Sequence, residues 1–231
     1  MGAPDAGSRN DARSEPRDAV SDSIEGGTGK VLMIAGEMPL VGVDLQIHEV
    51  LRAKNLEVED VRYDLASPSS ADGKRLVLLS YSIQSSTFKA ADFADVRVPI
   101  IVLEHNLLPA LGMTAAADHG FETGVTQIAI TSNDPTLTAG LIGDVTVYSQ
   151  VGEFFWGVPG PEAIEVATIK GNPARVVTFA YPAGAAMVGR SAPAKRVQLF
   201  AAVHAPPPNT TQFLNADGLK LLGAAVEWSI Q

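Results

Sequence analysis

Apolar and polar positions in the first half of the chain alternate between strand-like runs and one helical stretch. The stretch Val41–Lys54 repeats apolar residues at helical spacing, with Val43, Ile47 and Leu51 on one face. Continuous apolar runs on either side are typical of parallel strands that are covered on both faces. A short helix near Thr87–Ala94 completes a right-handed crossover. The predicted strands of this half are Val31–Ala35, Val58–Tyr63, Arg75–Ser80 and Pro99–Glu104.

The second half of the chain is richer in strand-like segments separated by Gly, Pro and Asn turns. Its closing stretch, Asn215–Ile230, predicts an amphipathic helix with Leu221, Leu222, Ala225 and Trp228 toward the sheet. The whole pattern predicts an α/β fold: a flavodoxin-like three-layer sandwich with a mostly parallel central sheet and extra β-strands in the C-terminal half. The predicted strands of this half are Thr126–Thr131, Val145–Ser149, Ala163–Ile169, Arg175–Tyr181 and Arg196–Ala202.

Residues 1–29 form a separate segment, because their mixture of Asp, Arg, Ser, Gly, Pro and Ala offers almost nothing to bury. We predict a disordered polar leader there and one domain over residues 30–231. Such a leader resembles the linker that follows a signal peptide or lipidated cysteine in exported bacterial proteins. The sequence therefore predicts an extracytoplasmic location in the native form, secreted, periplasmic or lipid-anchored, with no signal sequence in this chain.

Charge and cysteine content narrow the classes of partner. The net charge is −9, and no basic stripe is present, which argues against nucleic acid as a partner. No apolar run approaches the roughly 20 residues of a membrane-spanning helix. Cysteine is absent, which removes disulfides, thiolate metal sites and any cysteine nucleophile. The sequence predicts no cofactor, and it allows neighbouring domains or partner proteins.

Eight segments together resemble a recurring bacterial domain. One is the helical stretch that follows KVLMIAGE. The other seven are KVLMIAGE itself, LEVEDV, RLVLLSYSIQSS, VPIIVLEHNLLPALGM, DPTLTAGLIGDVTVYS, ATIKGNPARVVTFAYPAGAAMVG and the closing AVEWS. Their order resembles the trehalose-utilisation-protein-like (ThuA-like) branch of the class I glutamine amidotransferase-like superfamily, as found in exported multidomain proteins. The resemblance covers about residues 30–231 and implies the fold.

The resemblance also implies what the chain has lost. Amidotransferases of this superfamily use a cysteine on a sharp strand-to-helix turn, and the matching turn here reads Glu104-His105-Asn106. Without a cysteine, glutamine hydrolysis by that route is excluded. ThuA-like proteins often end the last strand with a Gly-His pair, and this chain has Val203-His204, which keeps the histidine and loses the glycine.

Polar residues follow several predicted parallel strands, and the carboxyl ends of such strands are where open α/β sheets bind ligands. Glu104, His105 and His204 are the candidate catalytic residues among them. The candidate ligand-binding residues are Glu37, Ser80, Ser82 and Asn106. The chain has no short spacing of histidines typical of a metal site, so no metal ligand is predicted.

Two interpretations of Glu104 follow from the sequence. A carboxylate that directly ends an apolar strand is costly to bury unless it is paired or acts on a ligand, as a general base, a metal ligand or an acceptor for hydroxyls. The other interpretation is a cap that accepts backbone N–H groups at the start of a helix over Leu107–Leu111. Topology predicts Glu104 within reach of Ser80 or Ser82.

Two further features have both a functional and a structural interpretation. The serines after the third strand lack the Gly-x-Ser-x-Gly turn of hydrolases, so they form either a hydrogen-bonding rim for sugar or polyol hydroxyls or a turn that caps the next helix. The aromatic residues Phe154, Phe155 and Trp156 lie in a predicted loop or edge. There they either stack on a sugar or partner, or pin the loop to the sheet as a small core.

Two functional hypotheses result. The first is a non-catalytic or degenerate amidotransferase-like binding or interaction module of an exported bacterial protein, with carbohydrate or a small polar molecule as ligand. The alternative is an enzyme acting on a carbohydrate or small polar metabolite, with Glu104 and a histidine as acid and base. A shared concave pocket at the strand ends distinguishes the two.

Overall fold

The apolar runs of the first half form the parallel part of one mixed β-sheet. A computed structural model describes residues 1–2, 29–202 and 213–231. Its strands are β1 (Lys30–Ala35), β2 (Glu57–Arg62), β3 (Leu76–Leu79), β4 (Ile100–Val102), β5 (Thr114–Val125), β6 (Gln127–Ile130), β7 (Gly143–Thr146), β8 (Gly152–Pro159), β9 (Ile164–Ile169), β10 (Asn172–Tyr181), β11 (Arg196–Gln198) and β12 (Ala201–Ala202). Its helices are α1 (Gly42–Ala53), α2 (Pro135–Thr138) and α3 (Ala216–Ile230), with short 3₁₀ helices at Pro68–Ala71, Ala90–Phe93 and His105–Leu107.

The strand order is β2-β1-β3-β4-β11-β10-β9-β6-β7. The first five strands pair in parallel, and the order of the first four is the flavodoxin-like one. From β11 onward the pairs are antiparallel, so the extra strands of the C-terminal half extend the sheet on one side. The α/β fold class predicted from the sequence is confirmed, and the parallel pairing of β1 with β3 agrees with it.

Side chains on both faces of the inner parallel strands are buried, whereas the edge strand β2 has no fully buried residue. All four residues of β3 and all three of β4 are buried, which explains why their sequences are apolar without alternation. One face packs against α1 and α3, with Ile47 and Leu222 in the shared core. The other face packs against the short 3₁₀ helices, with Phe93 and Leu107 in that core. The sheet is therefore the middle of three layers.

The two long helices follow their predicted patterns. In α1 the residues Val43, Ile47 and Leu51 recur at a spacing of four and are buried. Helix α3 begins after Asn215, whose side chain accepts hydrogen bonds from the backbone N–H groups of Asp217 and Gly218, both at 3.0 Å. This cap offsets unsatisfied N–H groups of the first turn.

Other predicted elements differ in extent. The short helix near Thr87–Ala94 is a 3₁₀ helix at Ala90–Phe93, and the helix expected over Leu107–Leu111 is a 3₁₀ helix at His105–Leu107. The predicted strand Arg196–Ala202 divides into β11 and β12, because β12 leaves the parallel sheet and pairs with β8.

Strands β5 and β8 were absent from the sequence prediction. They form an antiparallel pair in which, for example, Phe121 lies opposite Phe155. Strand β5 contains few β-branched residues and is largely exposed, so its conformation depends on pairing with β8 rather than on local propensity. Strand β8 also pairs with β10 and β12.

Most of the predicted leader, and one predicted site residue, fall outside the described residues. Residues 3–28 and 203–212, and with them His204, are not described. The boundary between leader and domain therefore stays a prediction. In the part of the chain that the structure does describe, no helix is long and apolar enough to cross a membrane.

Candidate functional site

The ends of three neighbouring parallel strands carry most of the predicted site residues. Glu37 follows β1, Ser80 and Ser82 follow β3, and Glu104 follows β4. The strands end together, since Ile34 of β1 pairs with Leu79 of β3, and Leu79 pairs with Val102 of β4. These side chains therefore belong to one carboxyl edge of the sheet, as the topology predicts.

Asp44 of α1 binds the end of β3, and Ser82 links that end to β1. Its buried carboxylate accepts hydrogen bonds from the hydroxyls of Ser80 and Ser82, the latter at 2.6 Å between Ser82 Oγ and Asp44 Oδ2. The Ser82 hydroxyl oxygen in turn accepts from the backbone N–H of Gly36, at 2.7 Å. Both serine hydroxyls thus donate to Asp44, while the predicted proximity of Glu104 to Ser80 or Ser82 stays a prediction. The ligand-binding role of the serines stays a prediction.

Gly36 is required where β1 meets this cluster. A Cβ atom at this position would lie 2.2 Å from the carbonyl oxygen of Ser82. Since that oxygen belongs to the backbone, a side chain at position 36 would force the ends of β1 and β3 apart.

Burial dominates the electrostatics of the Asp44 cluster. It raises the pKa of the Asp44 carboxyl, the two serine hydrogen bonds oppose that effect, and the negative charges of Asp60 and Glu37 add to it. The pKa of the Tyr81 phenol is also raised, by burial first and then by Asp44 and Glu37. This corner of the site therefore disfavours a further negative charge.

Glu104 is the N-cap of the 3₁₀ helix that follows β4. Its carboxylate is buried, at 6% exposure, and its Oε1 accepts from the backbone N–H of Asn106 at 3.0 Å and from Asn106 Nδ2 at 2.6 Å. Its backbone is ordinary extended chain, with φ −111° and ψ 112°. The capping contact predicted as one interpretation is thus present, and the strained turn of a catalytic nucleophile is not found at Glu104.

His105 and Asn106 complete this strand end. The His105 ring is buried, its Nδ1 lies 2.9 Å from Nδ1 of His119, and its Nε2 lies 3.3 Å from Asn106 Nδ2. The edge of the ring packs against Phe155, with centroids 4.5 Å apart. Asn106 itself is exposed and accessible to a ligand.

His119 and Asp44 were missed by sequence reasoning. His119 lies on β5, and burial lowers the pKa of its imidazole. No local signal marks it, because β5 exists only through its pairing. Asp44 had a signal: it lies three residues before Ile47 and seven before Leu51, so a carboxylate occupies the apolar face of α1.

The aromatic residues Phe154, Phe155 and Trp156 lie on β8 rather than in a loop. Phe154 and Phe155 are buried, so they are not available to stack on a ligand. Trp156 is half-buried, and the Arg175 guanidinium lies 4.9 Å from its ring centroid. The structure thus places two of the three rings in the core.

Among the described residues no metal cluster is found, and one groove lies away from the strand ends. In the described parts of the chain, no group of three or more His, Cys, Asp or Glu residues is arranged to hold a metal ion. A groove with a volume of about 530 Å³ lies between α1, α2 and α3, next to Val50, Lys54 and Leu219. It contains none of the predicted site residues.

Comparisons with known proteins identify the fold. No family model and no curated protein matches the sequence significantly. A putative GMP synthase subunit from Thermoplasma acidophilum matches with a TM-score of 0.51 and 14% identity, over 86% of this chain and 94% of that one. PurLQS from Thermotoga maritima (TM-score 0.48, 12% identity, 86% of this chain and 98% of that one) and a glutamine amido transferase from Methylobacillus flagellatus (0.48, 10%, 87% and 94%) are also similar. The likeness to the Thermoplasma protein is one of fold alone, and it agrees with the α/β architecture described above.

Proposed function

We propose that this chain is a non-catalytic binding module on an amidotransferase-like fold, with carbohydrate as its ligand class. The binding surface is the carboxyl edge of the parallel strands, where Glu37, Ser82, Glu104 and Asn106 lie. We propose further that it belongs to the ThuA-like branch and comes from an exported bacterial protein. The resemblance over residues 30–231 and the polar composition of residues 1–29 support these two parts.

The observation that carries the proposal is the chemistry at Glu104. The resemblance implies that this residue stands at the turn where amidotransferases of that superfamily place their cysteine, and the chain contains no cysteine. A nucleophile needs an exposed atom on a strained turn, whereas Glu104 is buried, has extended backbone and caps a 3₁₀ helix. Glutamine hydrolysis by thiol attack is therefore excluded.

The surroundings of Glu104 favour a neutral, hydroxyl-rich ligand. Glu37 and Asn106 are exposed, so a carboxylate and an amide carbonyl are accessible as acceptors for hydroxyl groups. Asp44 and Glu37 make this edge electrostatically unfavourable for anions, in agreement with the net charge of −9. Sugars meet both conditions, because they are uncharged and carry several hydroxyls.

A glycan array with the full chain and one near-isosteric variant tests the proposal. We expect wild-type protein to bind neutral oligosaccharides and Glu104→Gln to lose that binding with nearly unchanged thermal stability, because the amide keeps the packing and removes the charge. Glu165→Gln, at an exposed position on β9, is the matched control and retains binding.

Three results would contradict the proposal. Failure of the wild-type protein to bind any glycan on the array removes carbohydrate as the ligand. A Glu104→Gln variant that loses about 1 kcal/mol of stability and still binds shows that Glu104 is a cap only. Mass spectrometry of the incubated glycans checks for products, and their formation favours the alternative of an enzyme with Glu104 and a histidine as acid and base. Fractionation of the native cells tests export separately.

A further inference from the structure

A chain of hydrogen-bonding groups runs from the strand end after β4 to the middle of β5. The Glu104 carboxylate contacts the Asn106 amide at 2.6 Å, the amide contacts His105 Nε2 at 3.3 Å, and His105 Nδ1 contacts His119 Nδ1 at 2.9 Å. His119 belongs to a different element from the other three residues, so the chain joins β5 to the 3₁₀ helix at His105–Leu107.

The contact with Glu104 determines the direction of every link. Glu104 Oε1 accepts from the backbone N–H of Asn106 and from its Nδ2, so the Asn106 amide presents its NH₂ group to Glu104. The second hydrogen of that NH₂ group points to His105 Nε2, which therefore accepts. A neutral His105 then carries its proton on Nδ1 and donates it to His119 Nδ1. His119 must accept at Nδ1 and carry its own proton on Nε2.

We infer that His119 is a positioning residue of the candidate site: through His105 and Asn106 it holds the Glu104 carboxylate in place, and it does so only while both imidazoles are neutral. Protonation of His119 at Nδ1 places two N–H groups against each other. Protonation of His105 at Nε2 does the same against the Asn106 amide. The consequence for ligand binding rests on the proposed function, whereas the chain of hydrogen bonds does not.

The surroundings of His119 favour a neutral imidazole. Burial is the largest influence on His119 and lowers its pKa, and the Ala116 carbonyl and Asp118, both on β5, oppose it. From β5 and β8, His105 meets the uncharged rings of Phe121 and Phe155. On its own turn the charged group is Glu104, one link away through Asn106.

The sign of the pH dependence follows from the lowered pKa. A histidine with a lower pKa in the folded than in the unfolded state stabilises the fold above its unfolded value, near 6.5, and that contribution is lost as the pH falls through the folded value. Acidification from pH 7 toward 5 should therefore loosen the contact between β5 and the 3₁₀ helix before the protein unfolds.

Nitrogen-15 NMR of the full wild-type chain tests the assignment without any ligand. We expect His105 to carry its proton on Nδ1 and His119 on Nε2 at pH 7.5, with both patterns lost together on acidification. A spectrum in which His105 is protonated on Nε2 at pH 7.5 overturns the inference, because Asn106 then cannot donate to it.

Two substitutions at His119 distinguish its role as a hydrogen-bond acceptor from its role in filling space. In His119→Asn the amide oxygen takes the place of Nδ1 as an acceptor that does not titrate, whereas His119→Leu keeps the volume and removes the acceptor. We expect amide hydrogen exchange at Asn106 to be about five- to tenfold faster in the Leu variant, and near wild type in the Asn variant, which should also lose the response to acid.

Equal exchange rates in the Leu and Asn variants at pH 7.5 would overturn the inference. The same two variants on the glycan array connect the role of His119 to the proposed function. We expect His119→Leu to bind glycan more weakly than wild type, and glycan binding by His119→Asn to depend less on pH. If wild-type protein binds no glycan, the proposed function fails, while the NMR and exchange results still decide the role of His119.

Discussion

Replacement of Asp44 provides the sharpest test of how the strand ends are held together. Asp44 is 3% exposed and accepts from the hydroxyls of Ser80, which is fully buried, and Ser82, which is half-buried. Asp44→Ala removes both acceptors. The Ser82 hydroxyl can turn to water, but the Ser80 hydroxyl loses the group to which it donates. Asp44→Asn keeps one acceptor and adds an N–H group that can donate to the other serine.

The difference between the two variants isolates the hydrogen bonds. Both substitutions remove the cost of burying a carboxylate, so that contribution cancels in the comparison. A buried hydroxyl without its acceptor costs about 1–3 kcal/mol, and a lost partly exposed hydrogen bond costs up to about 1 kcal/mol. We therefore expect Asp44→Ala to be about 2 kcal/mol less stable than Asp44→Asn at pH 7, equivalent to roughly 4–8 °C in Tm for a domain of this size.

The pH dependence has a definite sign. Folding raises the pKa of the Asp44 carboxyl above its ordinary value of 3.8. The folded protein therefore binds this proton more tightly than the unfolded chain does. Its contribution to stability is complete below pH 3.8 and is lost as the pH rises through the folded value. Wild-type protein should thus gain stability relative to Asp44→Asn as the pH falls from 7 toward 4.

Urea unfolding followed by tryptophan fluorescence, at several pH values, provides the measurement. Asp72→Asn, at an exposed position, serves as the control and should leave both stability and its pH dependence unchanged. The reasoning is refuted if Asp44→Ala is as stable as Asp44→Asn, or if the difference between wild type and Asp44→Asn does not change with pH.

Two further substitutions test the packing around the site, both by chemical denaturation. Gly36→Ala should cost about 1–3 kcal/mol through the contact with the Ser82 carbonyl, whereas Gly160→Ala, whose added Cβ meets nothing closer than 3.5 Å, should be tolerated; equal costs would contradict the argument. Tyr181→Phe should cost about 1–3 kcal/mol, because the buried hydroxyl donates to the Met113 carbonyl at 2.8 Å and accepts from the Gly160 N–H at 2.7 Å. Tyr63→Phe, which loses an exposed contact with Gln84, should change stability by less than about 0.5 kcal/mol, and a loss as large as that of Tyr181→Phe would oppose the explanation.

The parallel half of the fold was accessible from the sequence because its signals are local. A strand covered on both faces must be apolar throughout, as in β3, and a helix on the sheet must repeat apolar residues every three or four positions, as in α1. The positions of Glu37 and Glu104 at one sheet edge followed from the same reasoning, since parallel neighbours end together.

Strands β5 and β8 were not accessible in this way. Residues 114–125 read TAAADHGFETGV, with alanines, glycines and charges that have little preference for strands. Their conformation follows from hydrogen bonds to β8, residues distant in sequence, and no local pattern encodes that pairing. His119 reaches His105 only because of it.

The sequence by itself determined the fold class, the positions of the parallel strands along the chain and the absence of thiol chemistry, since each depends on local hydrophobic pattern or on composition. The tertiary structure alone decided which polar groups meet. It directed the hydroxyls of Ser80 and Ser82 to Asp44, and it brought His119 of β5 against His105. The physical reason is that a hydrogen bond depends on positions within a few tenths of an ångström, and those positions follow from how distant segments pack against each other.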